Sequence, residues 1–263
     1  MDIYILISAF ELQIWILKDA MQLLSSCFGH EGGFLSIEVD PSGADAWKLE
    51  TVIELLKQGA VGVIPTDSVY AIACDCKNPS APLSILCRSF RDIDTYTFTM
   101  GFPRGDGHGH ANVFRAVKQC LPGPYTFILT ASKELLPKHR VGYGTTSVKY
   151  ATRKNVGVRI SDDAVCQAIL QEMDAPLICT SVKGPKENEW MIDPVAIGDI
   201  YGPEGLDFVV DGGVRVAEPS TIVDMTGPYP KVIRGGKGSI LPWMVVEDDD
   251  DSRLRQDLIA SGT

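Results

Sequence analysis

Five hydroxyl-bearing residues, Thr66, Ser68, Thr126, Ser181 and Ser220, and two arginines, Arg159 and Arg234, are the side chains of this 263-residue chain best suited to chemistry. They sit in six short motifs: Pro65-Thr66-Asp67-Ser68-Val69-Tyr70, Pro122-Gly123-Pro124-Tyr125-Thr126, Val156-Gly157-Val158-Arg159, Thr180-Ser181, Ser220-Thr221-Ile222-Val223 and Ile233-Arg234-Gly235-Gly236. Hydroxyls both donate and accept hydrogen bonds, and a guanidinium grips a carboxylate or a phosphate through two parallel N–H groups. Such a set acts by positioning an anion and stabilising charge around it. Taken singly, each residue has a plainer reading. A threonine after a proline at a strand end is most often a turn residue, and Arg159 could equally be an ordinary ion-pair partner, worth little when exposed. Only the joint pattern points to a site.

The elements that would carry these motifs are legible in the spacing of apolar residues. Leu49, Val52, Ile53 and Leu56 repeat at i, i+3, i+4, i+7, which predicts an amphipathic helix over 44–57, stopped near Gly59. The run 60–64 reads as a buried strand closed by Pro65. A second helix is predicted over 111–121, ending at Pro122-Gly123-Pro124. Strands are predicted over 125–129, 156–160, 176–180, 208–210, 221–223 and 232–233, with a helix from the Asp162-Asp163 cap to Met173. Helices alternating with strands make the fold class α/β, as one large domain.

Other motifs have plainer readings. The stretch Gly105-Asp106-Gly107-His108-Gly109-His110 offers two histidines and an aspartate to a metal, but four ligands are not visible, and it reads as a mobile Gly-rich loop. Lys183-Gly184-Pro185-Lys186 lacks the glycine spacing of a Walker loop and reads as a surface turn. Seven cysteines, at 27, 74, 76, 87, 120, 166 and 179, contain no C-x-x-C pair, so neither a disulfide framework nor a zinc knuckle is indicated. Cys74 and Asp75 would point to opposite faces of a strand, which makes a metal pair there a poor fit. The net charge of −10 argues against a broad phosphate-tracking surface. The apolar run 3–10 is far shorter than the ~20 residues of a membrane helix. It has no basic start, and the first arginine is Arg88, so cytoplasm is the expected location. Residues 1–39 read as an uncertain N-terminal extension, 40–243 as the folded domain, and 244–263, with the acidic run 247–251, as a solvated tail.

In their order and spacing the six motifs resemble the YrdC-like threonylcarbamoyl-adenylate synthase family, over roughly residues 44–242. The resemblance implies a twisted, mostly open mixed sheet flanked by helices. It implies a reaction of L-threonine, bicarbonate or CO2, and ATP, with Mg2+, to give threonylcarbamoyl-AMP and pyrophosphate. A downstream transferase would use the product to modify transfer RNA, and any contact of this chain with double-stranded RNA would be local. By the same resemblance, Thr66, Arg159 and Ser220 would hold L-threonine. Thr126, Asn155, Ser181, Lys183 and Arg234 would face ATP.

The chain departs from the family's pattern in two places. Members usually carry a helix ending in Lys-x-Arg ahead of a Pro-Leu segment, whereas here Lys77-Asn78-Pro79-Ser80-Ala81 runs straight into Pro82-Leu83. Arg88 and Arg91 follow that segment and could replace the lost cations only if the chain were rerouted. Members also show Ser-Ala-Asn where this chain has Ser181-Val182-Lys183, exchanging an amide for a donor-only ammonium that could still pair with a phosphate. The alternative reading is therefore a catalytically degenerate member that binds nucleotide or RNA without turnover.

Overall fold

The computed structural model describes residues 34–75, 84–98, 116–135, 155–185, 189–227 and 229–246. Within them the strands are β1 (Leu35–Glu38), β2 (Gly62–Ile64), β3 (Ala71–Asp75), β4 (Ser84–Leu86), β5 (Tyr125–Thr130), β6 (Asn155–Arg159), β7 (Leu177–Ser181), β8 (Phe208–Asp211), β9 (Thr221–Asp224) and β10 (Lys231–Arg234). The helices are α1 (Glu50–Lys57), α2 (Phe90–Tyr96), α3 (Ala164–Gln171) and α4 (Pro194–Tyr201). All ten strands join one sheet, in the order β1-β8-β2-β3-β7-β4-β6-β5-β9-β10. Pairings β1–β8, β2–β8, β4–β6 and β5–β9 are parallel and the others antiparallel, so the sheet is mixed.

Strand alternation decides the layering. Along β3, Ala71 and Ala73 pack with α1 and α3 on one face, in a core that also holds Leu56, Ile169, Leu177 and Phe208. Ile72 and Cys74 turn to the other face, where they meet Ile197 and Tyr201 of α4 with Val63, Ile178 and Val209. Both faces are covered, which is why these central strands read as continuous apolar runs. A third cluster, built on Phe127, Val156, Val158 and Val223, underlies the β6-β5-β9 end of the sheet.

The expected elements are found with small shifts of boundary. Leu49, Val52 and Leu56 are fully buried, in a helical stretch that starts as a 3-10 turn (Ala46–Leu49) and continues as α1. Gly59, with φ of 95°, stops it as a residue tolerant of the left-handed region should. Of the two aspartates read as a helix cap, Asp163 is the N-cap: its Oδ1 accepts from Cys166 N–H at 2.8 Å. Of the predicted helix over 111–121, residues 116–120 are described and are helical. The sheet begins at β1, inside the stretch set apart above as an extension, while residues 1–33 and 247–263 lie outside the described residues. So do 76–83, the His-bearing loop at 105–110 and Lys186. Five cysteines are described, all of them buried. No helix among the described residues is long and apolar enough to cross a membrane.

Gly62 shows how tightly β2 and β8 approach. A Cβ at Gly62 would lie 2.2 Å from the ring of Phe208, its register partner. Gly62→Ala is expected to lower stability by about 1–3 kcal/mol through overpacking. Chemical denaturation should show a lower midpoint at unchanged slope, and an unchanged midpoint would contradict this contact.

Candidate functional site

The turn between β2 and β3 is built from its own hydroxyls. Thr66 Oγ1 donates to the Val69 carbonyl at 2.6 Å and accepts from Ser68 N–H at 3.3 Å, with Ser68 Oγ 3.2 Å away. Thr66 is fully buried. Its one proton is committed to the turn, so a direct contact with a ligand would be limited to an accepted hydrogen bond. Thr66 acts mainly by shaping the segment that presents Asp67 and Ser68.

That segment meets the end of β6. Arg159 Nη2 donates to Asp67 Oδ1 at 2.6 Å and to Ser68 Oγ at 2.9 Å, and the two charged side chains are only 4% and 7% exposed. Asp67 Oδ2 accepts from Asp162 N–H at 2.9 Å, and its own N–H donates to Ser161 Oγ at 3.0 Å. The carboxylate is thereby held from both sides, as a buried charge must be. Lys237 Nζ donates to the Asp67 carbonyl, which ties the segment after β10 to the same turn. Arg159 Nε is buried and has no hydrogen-bond partner among the described residues.

A second set gathers around Arg234, at the end of β10. Its Nη2 donates to the Ser220 carbonyl at 2.8 Å, and Ser220 Oγ lies 2.8 Å from Thr126 Oγ1. Thr221 Oγ1 donates to the Gly238 carbonyl and accepts from Gly236 N–H at 3.0 Å, so the glycine segment lies directly on this strand start. Side chains are excluded there, since a Cβ at Gly236 would stand 2.2 Å from the Pro219 carbonyl oxygen. Burial, and then the charge of Arg159, push the Arg234 guanidinium below its ordinary pKa. Arg234 Nε, like Arg159 Nε, is buried without a hydrogen-bond partner among the described residues. Each of the two guanidiniums thus retains a buried donor, an arrangement able to accept an anion.

The remaining expected residues are placed less uniformly. Lys183 lies beside the Trp190 ring, which also contacts Arg234, so it joins the second set through that indole. Ser181 ends β7 opposite Ala71, where β3 leaves the Thr66 turn. Asn155 is exposed at the start of β6, four residues and about 13 Å of strand from Arg159. Its register partner is Thr130, at the far end of β5 from Thr126, so the structure does not bring Asn155 to the cluster. Arg88 is engaged elsewhere: it pairs with Asp92 through Nε at 2.9 Å and Nη2 at 2.7 Å, while Nη1 donates to the Met173 carbonyl at 2.8 Å. Arg91 is exposed on α2.

Several participants went unassigned in the sequence. Asp67 lay within a quoted motif without a role, and Ser161, Trp190, Arg215 and Lys237 carried no linear signal. Arg215 Nη2 lies 3.0 Å from the N-cap carboxylate of Asp163, and its guanidinium stands 5.9 Å from the Tyr70 ring. Tyr70 donates to the Gly213 carbonyl at 2.7 Å and accepts from Gly212 N–H, its phenol pushed up to about 12 by burial and so held protonated.

A family model named Sua5_yciO_yrdC and described as telomere recombination matches residues 54–236. The chain is 27% identical over 220 residues to the uncharacterized protein YciO of Escherichia coli K12, an alignment covering 78% of this chain and 97% of that one. The crystal structure of E. coli YciO superposes with a TM-score of 0.65 at 26% identity, over 80% of this chain and 99% of that one. Threonylcarbamoyl-AMP synthase of Homo sapiens is 26% identical over 202 residues, 68% of this chain and 63% of that one. P. abyssi Sua5 complexed with L-threonine shares the fold, with a TM-score of 0.59 at 16% identity, over 78% of this chain and 58% of that one.

Arg159→Ala would leave Asp67 as an uncompensated buried charge and is expected to cost about 3–5 kcal/mol. In urea denaturation the double replacement Asp67→Asn with Arg159→Met should recover most of that loss. Single replacements costing less than about 1 kcal/mol would contradict the pairing.

Proposed function

Because this chain belongs to the Sua5/YciO/YrdC family, we propose that it is an L-threonylcarbamoyladenylate synthase, making threonylcarbamoyl-AMP and pyrophosphate from L-threonine, bicarbonate or CO2, and ATP. One observation carries the reading: Arg159 and Arg234 each hold a buried N–H donor with no hydrogen-bond partner among the described residues, and burial together with the charge of Arg159 disfavours the Arg234 cation where no anion is bound. The substrates bring matching anions, a carboxylate and a triphosphate. A human relative that is a threonylcarbamoyl-AMP synthase and a structural neighbour holding L-threonine support the same assignment.

In this reading the threonine amine adds to CO2, releasing a proton and giving a carbamate. A carbamate oxygen then attacks the α-phosphorus of ATP in line, the bond to the β-phosphate oxygen breaks, and pyrophosphate leaves. Arg159, fixed by Asp67 and Ser68, would take the amino-acid carboxylate. Arg234, with Ser220 and Thr126, would face the phosphates, where charge is redistributed as the bond breaks. Among the described residues no group of three His, Cys, Asp or Glu is placed to hold a metal ion, so Mg2+ would enter on the triphosphate. The product would serve a downstream transferase acting on transfer RNA, and cytoplasm is the proposed location.

A second reading is a degenerate member that binds nucleotide or RNA without turnover. It is favoured by the commitment of Arg88 to Asp92, which leaves the Lys-x-Arg cations unreplaced from that quarter.

Purified chain with ATP and Mg2+ is expected to release pyrophosphate only when both L-threonine and bicarbonate are present. Arg234→Ala should lower kcat/KM by about 10²–10³-fold, and Thr66→Ala should abolish most turnover by deforming the turn. ATP binding without pyrophosphate release would favour the degenerate reading.

A further inference from the structure

Beyond β7 the chain forms a short hairpin in which Lys183 and Trp190 face each other. The hairpin's hydrogen bonds come from the residues on either side: Gly184 N–H donates to the Glu189 carbonyl at 2.7 Å, and Met191 N–H to the Val182 carbonyl at 3.2 Å. Lys183 and Trp190 are therefore a non-hydrogen-bonded antiparallel pair, the kind whose side chains stand closest on one face. Lys183 Nζ accordingly lies 5.2 Å from the centroid of the Trp190 ring. Arg234, arriving on a different strand, places its Cζ 5.1 Å from the same ring. The Tyr201 hydroxyl donates to the Lys183 carbonyl, fastening the hairpin to α4.

Two like charges are thus gathered on one indole. The face of an indole attracts a cation, and the attraction grows as water is excluded. Arg234 is already disfavoured as a cation by its burial and by Arg159. Among its described contacts, the ring and the Ser220 carbonyl are what fix the direction of Arg234.

We propose that Trp190 is a positioning residue, holding Lys183 and Arg234 as a paired grip on a polyphosphate. Resting on the reading above, that polyphosphate is the triphosphate of ATP. A compact ammonium supplies charge without fixed direction, while the guanidinium supplies direction. Trp190 sets the spacing between them.

The test is calorimetric titration of the full chain with inorganic tripolyphosphate and, separately, with Mg-ATP. Trp190→Leu is expected to weaken tripolyphosphate binding about tenfold, while Trp190→Phe and Trp190→Tyr, which keep a ring for both cations, stay within about threefold of wild type. Lys183→Gln should weaken binding similarly, yet add little when combined with Trp190→Leu, because both act through one arrangement. In the pyrophosphate assay Trp190→Leu should raise KM for ATP about tenfold with kcat within about threefold. No tripolyphosphate binding by wild type would overturn the proposal, as would equal binding by a Trp190→Leu variant that melts like wild type. Should Trp190→Leu fail to fold, wild-type affinity in Lys183→Gln would overturn it equally. Trp190-dependent tripolyphosphate binding in a chain that releases no pyrophosphate would leave this inference standing and remove the synthase reading.

Discussion

Asp67 and Arg159 are charges from two distant parts of the chain, 92 residues apart, and the site depends on their being buried together. Each alone would be intolerable at that depth. Together they fix the position of the β2–β3 turn against the end of β6, and the backbone donor from Asp162 and the hydroxyl of Ser161 complete the join. A buried ion pair is weak grounds for expecting extra stability, since well-packed apolar residues often do as well. What it supplies here is direction. The guanidinium is held through Nη2, and Nε is left as the buried donor.

An overall acidic chain thereby presents a locally cationic centre. Arg159, Arg234, Lys183 and Lys237 are drawn together by specific partners: a carboxylate, a carbonyl, an indole and another carbonyl. These cations belong to the loops and strand ends around the β2–β3 turn, while the net charge of −10 belongs to the chain as a whole. A small multiply charged ligand suits such a centre better than a nucleic-acid backbone tracked over many phosphates.

How much of this was legible in the sequence depended on whether geometry followed linear distance. Thr66, Arg159, Ser220 and Arg234 stand at strand ends marked by proline, glycine or β-branched neighbours, so their elements could be read and their motifs placed. The layering was less readable, because Ala71, Ile72, Ala73 and Cys74 are apolar on both faces of β3 and only the fold shows which helices each face meets. Asn155 and Arg159 lie apart because on an extended strand four residues separate one end from the other. The role of Trp190 needed the hairpin register, which no local pattern announced. Arg88 was half-legible, since an aspartate four residues on is a natural helical partner, whereas its bond to the Met173 carbonyl joins elements 85 residues apart. β1 is four residues long, with alternate burial; it pairs with β8 and packs Leu35 and Ile37 against the core, contacts invisible without the fold.

The central claim is that Arg159 Nε and Arg234 Nε, two of the buried guanidinium donors without a hydrogen-bond partner among the described residues, are where the substrates' anions bind. A crystal structure of the chain with L-threonine and a non-hydrolysable ATP analogue tests it most directly. An anionic ligand oxygen within hydrogen-bond distance of each Nε, about 2.7–3.2 Å, is the predicted result. Ligands bound elsewhere, with both Nε atoms still unpaired, would contradict the account.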